Sequence, residues 1–106
     1  MITVITRFRV SPPLSGEIAK KIFLNTAPRY LEAKGLIRKY YMRSEDGCAT
    51  GAVYLWKSRA DAERLYTEEW RRFVSEKYGT QPDVSFFETP VIVDNVIGAI
   101  WDDSQT

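Results

Sequence analysis

The stretch GLIRKYYMRSEDGCATGAVYLW, residues 35–56, predicts a β-hairpin, and this hairpin decides the fold. Two runs rich in aromatic and aliphatic residues, 36–45 and 48–56, flank the dipeptide Asp46-Gly47, which is typical of tight hairpin turns. If these two residues form the loop, Glu45 pairs with Cys48 and all other cross-strand pairs follow. The register then assigns each side chain of both strands to a face of the sheet.

The two faces of the predicted hairpin differ in chemistry, because successive side chains of a strand point to opposite sides. The first face is mostly aliphatic and carries Arg38, Tyr40, Met42, Gly51, Val53 and Leu55. The second face is aromatic around one lysine and carries Ile37, Lys39, Tyr41, Ala52, Tyr54 and Trp56. We expect the second face to meet the helices, where apolar walls with a few polar groups would form a pocket. The alternative is that these aromatic residues fill the core while Lys39 reaches past them to water.

The N-terminal third of the sequence predicts a strand and then a helix. Apolar residues alternate over residues 2–10, which is typical of a strand with one buried face. Ser15 is a candidate N-cap, and the apolar positions after it recur at helical spacing. We expect Pro28 to kink this helix or split it, because proline has no N–H to donate to the carbonyl of Leu24. Gly35 is the candidate C-cap.

The C-terminal half predicts two short helices and a last strand. Ser58 and Thr67 are candidate N-caps for helices that run to residues 66 and 78. The run VSFFETPVIV, residues 84–93, predicts a strand in which Pro90 marks an edge position or a bulge. The resulting order, β-α-β-β-α-β, predicts an α+β ferredoxin-like fold with one antiparallel sheet that carries its helices on one face.

The other face of this sheet needs a cover, and a second copy of the sheet would provide it. We therefore expect a homodimer built from a single domain, residues 1–106. The apolar segment NVIGAIW, residues 95–101, is too short to pack by itself. We expect the tail, residues 95–106, to dock on the partner subunit.

The composition excludes several classes of function. Fifteen basic and fourteen acidic residues leave a net charge of +1, which gives no field for nucleic acid or an anionic membrane. There is no histidine and Cys48 is the only cysteine, so His-based triads and the usual zinc sites are excluded. We expect no metal and no cofactor. The N-terminus has no signal-peptide pattern and no run is long enough to span a membrane, so we expect a cytoplasmic protein.

Three segments, GLIRKYYMRSEDG, GAVYLWKSRADAERLYTEEW and FFETPVIVDN, resemble the YdhR-like monooxygenase family. This family belongs to the dimeric α+β barrel superfamily, which includes the antibiotic-biosynthesis monooxygenases, and the resemblance extends from the first strand to about Asn95. It implies a homodimer whose sheets face each other, with a pocket between sheet and helices in each subunit. Trp56-Lys57-Ser58 matches a family pattern in which the tryptophan lines the pocket. Thr6 takes the place of an asparagine of the haem-degrading branch, whose histidine has no counterpart here, so haem degradation is disfavoured.

The main functional hypothesis is a cofactor-independent monooxygenase that acts on a small aromatic or polyketide-like phenol. In such chemistry the substrate anion itself gives electrons to O2, so the protein must favour the anion and exclude water. Lys39 would stabilise the anion, and Tyr41 and Tyr54 would pass a proton. The substrate-binding candidates are Thr6, Phe23, Trp56 and Trp70, with Trp70 also explained as a core residue at helical spacing.

Two alternatives use the same pocket. A non-catalytic module would hold a small aromatic molecule without consuming oxygen. An isomerase or cyclase of the same superfamily would use Lys39, a tyrosine or Glu88 as its base, and would work without O2.

Overall fold

A computed structural model describes residues 1–105 of the chain. The elements are β1 (Ile2–Arg9), α1 (Gly16–Leu31), β2 (Leu36–Arg43), β3 (Ala49–Trp56), α2 (Arg59–Leu65), α3 (Glu68–Tyr78), β4 (Asp83–Glu88), β5 (Val91–Asp94) and β6 (Ala99–Asp102), followed by a short 3-10 turn (Asp103–Gln105). The predicted α+β fold and the order β-α-β-β-α-β of the main sheet are confirmed, with α2 and α3 together filling the second helical position. No helix within residues 1–105 is long and apolar enough to cross a membrane.

The main sheet has four strands in the order β2-β3-β1-β4, and all neighbours are antiparallel. Lys39 pairs with Tyr54 and Tyr41 pairs with Ala52, which confirms the register predicted from the hairpin. The register slips between Leu36 and Arg38, so that Leu36 rather than Ile37 lies opposite Trp56. The assignment of Ile37 to the aromatic face is therefore wrong. A β-bulge at this position leaves the side chain of Ile37 exposed.

The hairpin turn differs from the predicted two-residue loop. The strands end at Arg43 and begin again at Ala49, and Glu45 and Cys48 are not a ladder pair. The N–H of Gly47 donates to the carbonyl of Ser44, so Glu45 and Asp46 are the central residues of the turn, and Gly47 follows them with φ +76°. The side chain of Asp46 accepts from Ser44 Oγ and from the N–H of Cys48, which stabilises this longer loop.

Side-chain caps define the helix starts as predicted. The hydroxyls of Ser15, Ser58 and Thr67 each accept the backbone N–H three residues later. Pro28 does not split α1, which is continuous to Leu31. Pro28 lies only three residues before the last residue of α1, Leu31, so only a short part of the helix follows it. Gly35 is not the C-cap, because α1 ends with Glu32 as its C-cap.

Gly35 instead lies in the turn after α1, with φ +81°. A Cβ at this position would stand 2.2 Å from a carboxylate oxygen of Asp61. The glycine therefore lets this turn pack directly against the start of α2.

The core lies between the helices and one face of the sheet. The aromatic face of the hairpin points toward the helices as predicted, and Tyr54 and Trp56 are buried there. The remaining core residues come from β1, β3 and the helices and include Ile2, Val4, Phe8, Ala19, Tyr30, Ala52, Ala62, Trp70 and Val74. The opposite face of the sheet is exposed and carries large apolar side chains, among them Ile5, Tyr40, Met42 and Phe87.

The strand predicted over residues 84–93 is interrupted. β4 stops at Glu88, and the segment from Val91 does not join the main sheet but pairs with β6 in a separate two-stranded hairpin. Pro90 causes this break because it has no N–H to donate to a ladder. The hairpin β5–β6 exposes apolar side chains at Val91, Val93, Val96, Ile97, Ile100 and Trp101.

Candidate functional site

Lys39 lies within an enclosure of three tyrosine rings. Its Nζ atom is 3.3 Å from the ring centre of Tyr30, 3.9 Å from that of Tyr41 and 4.6 Å from that of Tyr54. Tyr30 comes from α1, whereas Tyr41 and Tyr54 come from the same face of β2 and β3 as Lys39. The structure thus brings together all three residues that the sequence suggested for catalysis. We call this group the tyrosine enclosure.

The charge on Lys39 is subject to two opposing effects. No carboxylate of residues 1–105 forms an ion pair with Nζ, and burial lowers the pKa of Lys39 to about 6. The faces of the three tyrosine rings attract an ammonium group and act in the opposite direction. Burial disfavours the charged form because it removes water from the ammonium group. Lys39 therefore carries a substantial fraction of neutral amine near pH 7.

The hydroxyls of Tyr41 and Tyr54 stay protonated at neutral pH. Burial raises the pKa of Tyr41 and, more strongly, that of Tyr54. The hydroxyl of Tyr41 shares a hydrogen bond of 2.8 Å with Thr26 Oγ1, and the hydroxyl of Tyr30 accepts from Trp70 Nε1 at 3.1 Å. Of Lys39, Tyr41 and Tyr54, Lys39 is the group that can accept a proton near neutral pH.

Two cavities meet at Lys39. The interior cavity measures about 20 Å³ and is lined by Thr6, Tyr30, Lys39, Tyr41, Tyr54 and Lys77, among others. This volume has room for about one water molecule. A second cavity, which we call the α1–β2 groove, measures about 200 Å³ and opens to solvent between Ala27, Tyr30 and Leu31 on one side and Leu36, Ile37, Arg38, Lys39 and Tyr41 on the other. Lys39 is therefore reached from outside through a mostly apolar groove.

The four substrate-binding candidates lie in different surroundings. Thr6 is 2% exposed and lines the interior cavity. Phe23 stacks on the ring of Tyr41 with the ring centres 4.8 Å apart. Trp56 and Trp70 are sealed in the core, 1% and 2% exposed, and line neither cavity.

The two buried indoles support the enclosure from behind. Trp56 Nε1 donates to the hydroxyl of Tyr66 at 2.9 Å, and the ring of Tyr66 contacts that of Tyr54 edge to face with centres 5.4 Å apart. Trp70 Nε1 donates to Tyr30, a wall of the enclosure. Their contact with a substrate stays a prediction, whereas their contact with the enclosure is direct.

Sequence reasoning missed Tyr30, Thr26 and Tyr66. Phe23, Thr26 and Tyr30 share one side of α1 at helical spacing, so their common face was readable from the sequence. The contact of this side of α1 with Lys39 could not be predicted from the sequence, because it depends on how α1 crosses the sheet. Glu88, the carboxylate suggested as an alternative base, is exposed at the end of β4, on the opposite edge of the sheet from β2.

Another cavity of about 360 Å³ lies on the exposed face of the sheet, between Ile5, Arg7, Met42, Ala49 and Gly51. It shares Thr6 and Gly51 with the interior cavity, although neither Lys39 nor any of the three tyrosines of the enclosure lines it. Residues 1–105 contain no cluster of three or more histidine, cysteine, aspartate or glutamate side chains that could hold a metal ion.

Comparison with known proteins gives structural relatives only. No protein-family model matches the sequence. No curated protein matches it either.

Solved structures with the fold of antibiotic-biosynthesis monooxygenases match the chain. SnoaB, a cofactor-independent oxygenase from Streptomyces nogalater, has a TM-score of 0.62 at 16% identity over 83% of this chain and 91% of its own. A monooxygenase from the gene ActVA-Orf6 of Streptomyces coelicolor, solved with nanaomycin D, has a TM-score of 0.64 at 18% identity over 83% and 86%. A conserved protein from Methanosarcina mazei Go1 has a TM-score of 0.62 at 13% identity over 83% and 91%. At this identity the likeness shows the ferredoxin-like α+β fold, and the resemblance to the YdhR-like subfamily stays a prediction.

Proposed function

We propose that this protein is a cofactor-independent monooxygenase that acts on a small aromatic or polyketide-like phenol. The observation that carries the proposal is Lys39, an amine without a carboxylate partner among residues 1–105, enclosed by three tyrosines and open to an apolar groove. Two of the structural relatives are described as oxygenases, which supports the same chemistry.

The substrate ring would lie in the α1–β2 groove, since the interior cavity is too small for a ring. Leu31 is 87% exposed and Ile37 is 42% exposed, so both present apolar surface that a ligand would cover. Covering such surface favours binding by roughly 25 cal/mol for each Å² removed from water. A phenolic oxygen at the inner end of the groove would then face Lys39.

Lys39 would act as the base for the phenol. The neutral amine takes the phenolic proton, and the resulting ammonium stabilises the phenolate and is itself stabilised by the tyrosine faces. The phenolate, or its enolate form, transfers electrons to O2. For an activated methylene group, the balance is CH2 + O2 → C=O + H2O, with all four electrons supplied by the substrate. No external reductant is needed.

The neighbouring residues would dry and order the site. Tyr41 and Tyr54 stay protonated and donate to oxygen atoms that gain negative charge. Phe23 fixes the ring of Tyr41 by stacking, and Trp56 and Trp70 keep water out from behind. Thr6 closes the interior cavity from β1.

Oxygen uptake with a panel of phenols, naphthols and hydroxyanthrones tests the proposal. We expect consumption of one O2 for each product molecule, and product labelled with one atom from 18O2. Lys39→Met should lower kcat at least tenfold while the fold is retained, and Lys57→Met, which removes an exposed lysine, is the matched control. Equal kcat in wild type and Lys39→Met would refute the role of Lys39.

A binding module without catalysis is the second candidate. It is favoured by the α1–β2 groove, whose apolar walls at Ala27, Leu31 and Leu36 can hold an aromatic molecule without any reaction. It predicts that a phenol raises the Tm without any oxygen uptake. An isomerase or cyclase would instead turn over its substrate under nitrogen, so an anaerobic product assay separates the three functions.

The proposal includes a homodimer formed from single-domain subunits, residues 1–106. The exposed apolar face of the sheet, with Ile5, Met42 and Phe87, would meet the same face of a second copy. The β5–β6 hairpin, with its exposed apolar side chains, would dock on that partner. Light scattering at micromolar concentration should give twice the mass of the chain, and truncation after Pro90 should weaken the association.

A further inference from the structure

We propose that Lys39 is a nucleophilic amine that forms an imine with aromatic aldehydes or ketones that enter the α1–β2 groove. This chemistry is separate from the oxygen chemistry above and does not require O2. It rests on three features: the position of Lys39 in the lining of a groove that opens to solvent, the apolar residues of that groove, and the tyrosine rings that surround the amine.

The position of Lys39 distinguishes it from the other lysines. Lys39 is half-buried and lines both cavities, whereas Lys20, Lys21, Lys34, Lys57 and Lys77 are exposed. A reactive amine must be neutral, and desolvation favours the neutral form. Burial lowers the pKa of Lys39 to about 6, so this amine is mostly neutral at pH 7, where an ordinary lysine is almost wholly protonated.

The groups that face Lys39 do not favour its protonation through charge. Tyr30 of α1, Tyr41 of β2 and Tyr54 of β3 present neutral rings. Two charged residues line the adjoining cavities, Arg38 at the groove and Lys77 of α3 at the interior cavity, and both are cations. Like charges disfavour a further positive charge at Nζ.

The tyrosine hydroxyls near Lys39 also bring no negative charge that would favour its protonation. Burial raises the pKa of Tyr41 and Tyr54, and also that of Tyr78, which lines the interior cavity, so these phenols bring no negative charge near neutral pH. Tyr41 is held by Thr26 and Tyr30 by Trp70. The ring faces are the remaining attraction for an ammonium group, and they compete with the uptake of a carbonyl ligand.

The groove selects the carbonyl compound. Ala27, Leu31, Leu36 and Ile37 give the groove apolar walls, and its volume of about 200 Å³ suits a single aromatic ring. Nζ adds to the carbonyl carbon to form a C–N bond, and the carbonyl oxygen then leaves as water with the two amine protons. The product is a C=N bond at Lys39, and no oxidant or reductant is consumed.

Reductive trapping tests the inference on the full chain. The protein is incubated with benzaldehyde and sodium cyanoborohydride at pH 7, where hydride converts any imine into a stable benzylamine, and the modified lysines are mapped by mass spectrometry. We expect Lys39 to be modified at least tenfold faster than Lys57. The rate at Lys39 should fall below about pH 6 as the amine is protonated. Modification of Lys39 no faster than Lys57 would overturn the proposal.

A second comparison tests the groove. Glyoxylate, a polar aldehyde, replaces benzaldehyde in the same assay. At each lysine, the labelling rate with benzaldehyde is divided by the rate with glyoxylate. This ratio should be at least fivefold higher at Lys39 than at Lys57. Equal preference at both lysines would refute selection by the groove. Lys57→Arg should leave labelling of Lys39 unchanged, and Lys39→Arg should abolish it. The mapping of modified lysines is done on the wild type, so it does not depend on whether a variant folds. Trapping at Lys39 without any oxygen uptake would support the imine proposal and refute the monooxygenase proposal.

Discussion

Replacing Lys39 with methionine should change how the stability of the protein depends on pH. Methionine has nearly the same length as lysine but binds no proton. The wild-type amine has a pKa of about 6 in the folded chain, well below the 10.5 of an unburied lysine. Between these two values the unfolded chain binds more protons at position 39 than the folded chain does. The free energy of unfolding of the wild type must therefore rise with pH through this window, relative to the variant.

The size of the effect follows from the same values. Well above pH 6, each pH unit adds up to about 1.4 kcal/mol to the free energy of unfolding. Between pH 6 and pH 8, the wild type should gain up to about 2 kcal/mol relative to Lys39→Met. The tyrosine faces stabilise the ammonium and reduce this gain, so we expect about 1 to 2 kcal/mol. Below pH 5 both states are protonated and the difference between the two proteins is constant.

Urea unfolding of both proteins at pH 5, 6, 7 and 8 measures the difference. The sequence contains no histidine, so the side chain that ordinarily titrates in this range is absent and the background is small. All samples have the same protein concentration, so that any contribution from association is compared at one concentration. Lys57→Met serves as the control and should follow the wild type at every pH.

A difference between wild type and Lys39→Met that does not change from pH 6 to pH 8 would refute the reasoning. It would mean that Lys39 stays protonated in the folded state and that the tyrosine faces outweigh burial. The proposed role of Lys39 as a base and the imine proposal both require a neutral amine near pH 7, so both would be refuted. The description of the fold would be unaffected.

Two further predictions concern packing in the sheet and at the enclosure. Gly51→Ala should lower the free energy of unfolding by about 3 kcal/mol or abolish folding, because the added Cβ would lie 2.0 Å from the carbonyl oxygen of Thr6. Gly16→Ala, whose Cβ meets nothing within 4 Å, should stay within about 1 kcal/mol of wild type, and equal effects of the two changes in urea unfolding would contradict this. Tyr41→Phe should lower the free energy of unfolding by about 1 kcal/mol through loss of the hydrogen bond to Thr26, and an unchanged urea midpoint would show that this bond contributes nothing.

Local patterns in the sequence were sufficient to predict the register of the hairpin in the main sheet and the side of the tyrosine enclosure that this hairpin forms. The spacing between Lys39 and Tyr54 around the turn determined their pairing, because an antiparallel ladder continues from its first pair. The turn is longer than predicted, but both strands end earlier than expected by nearly the same number of residues. The pairs from Arg43 and Thr50 onward therefore keep the predicted register. Lys39, Tyr41 and Tyr54 were placed on one face for the same reason.

Features that depend on packing between elements were not predictable from local patterns. The crossing of α1 over the sheet places Tyr30 on Lys39, and no local pattern encodes that crossing angle. The volume left between sheet and helices depends on how every core side chain packs, so the cavity of about 20 Å³ could not be anticipated. The pairing of β5 with β6 depends on Pro90, which was expected to mark an edge position or a bulge and instead interrupts the strand completely.

The β-bulge at Ile37 has a consequence for comparisons between related sequences. The strand carries one residue more than its partner at this point, and the ladder from Arg38 onward does not depend on it. A relative without the bulge would be one residue shorter here and would keep the lysine in register with its cross-strand tyrosine. An alignment without a gap at this position would place arginine against lysine and exchange the two faces of the strand. Searches for an equivalent of Lys39 should therefore allow a single-residue deletion between residues 36 and 38.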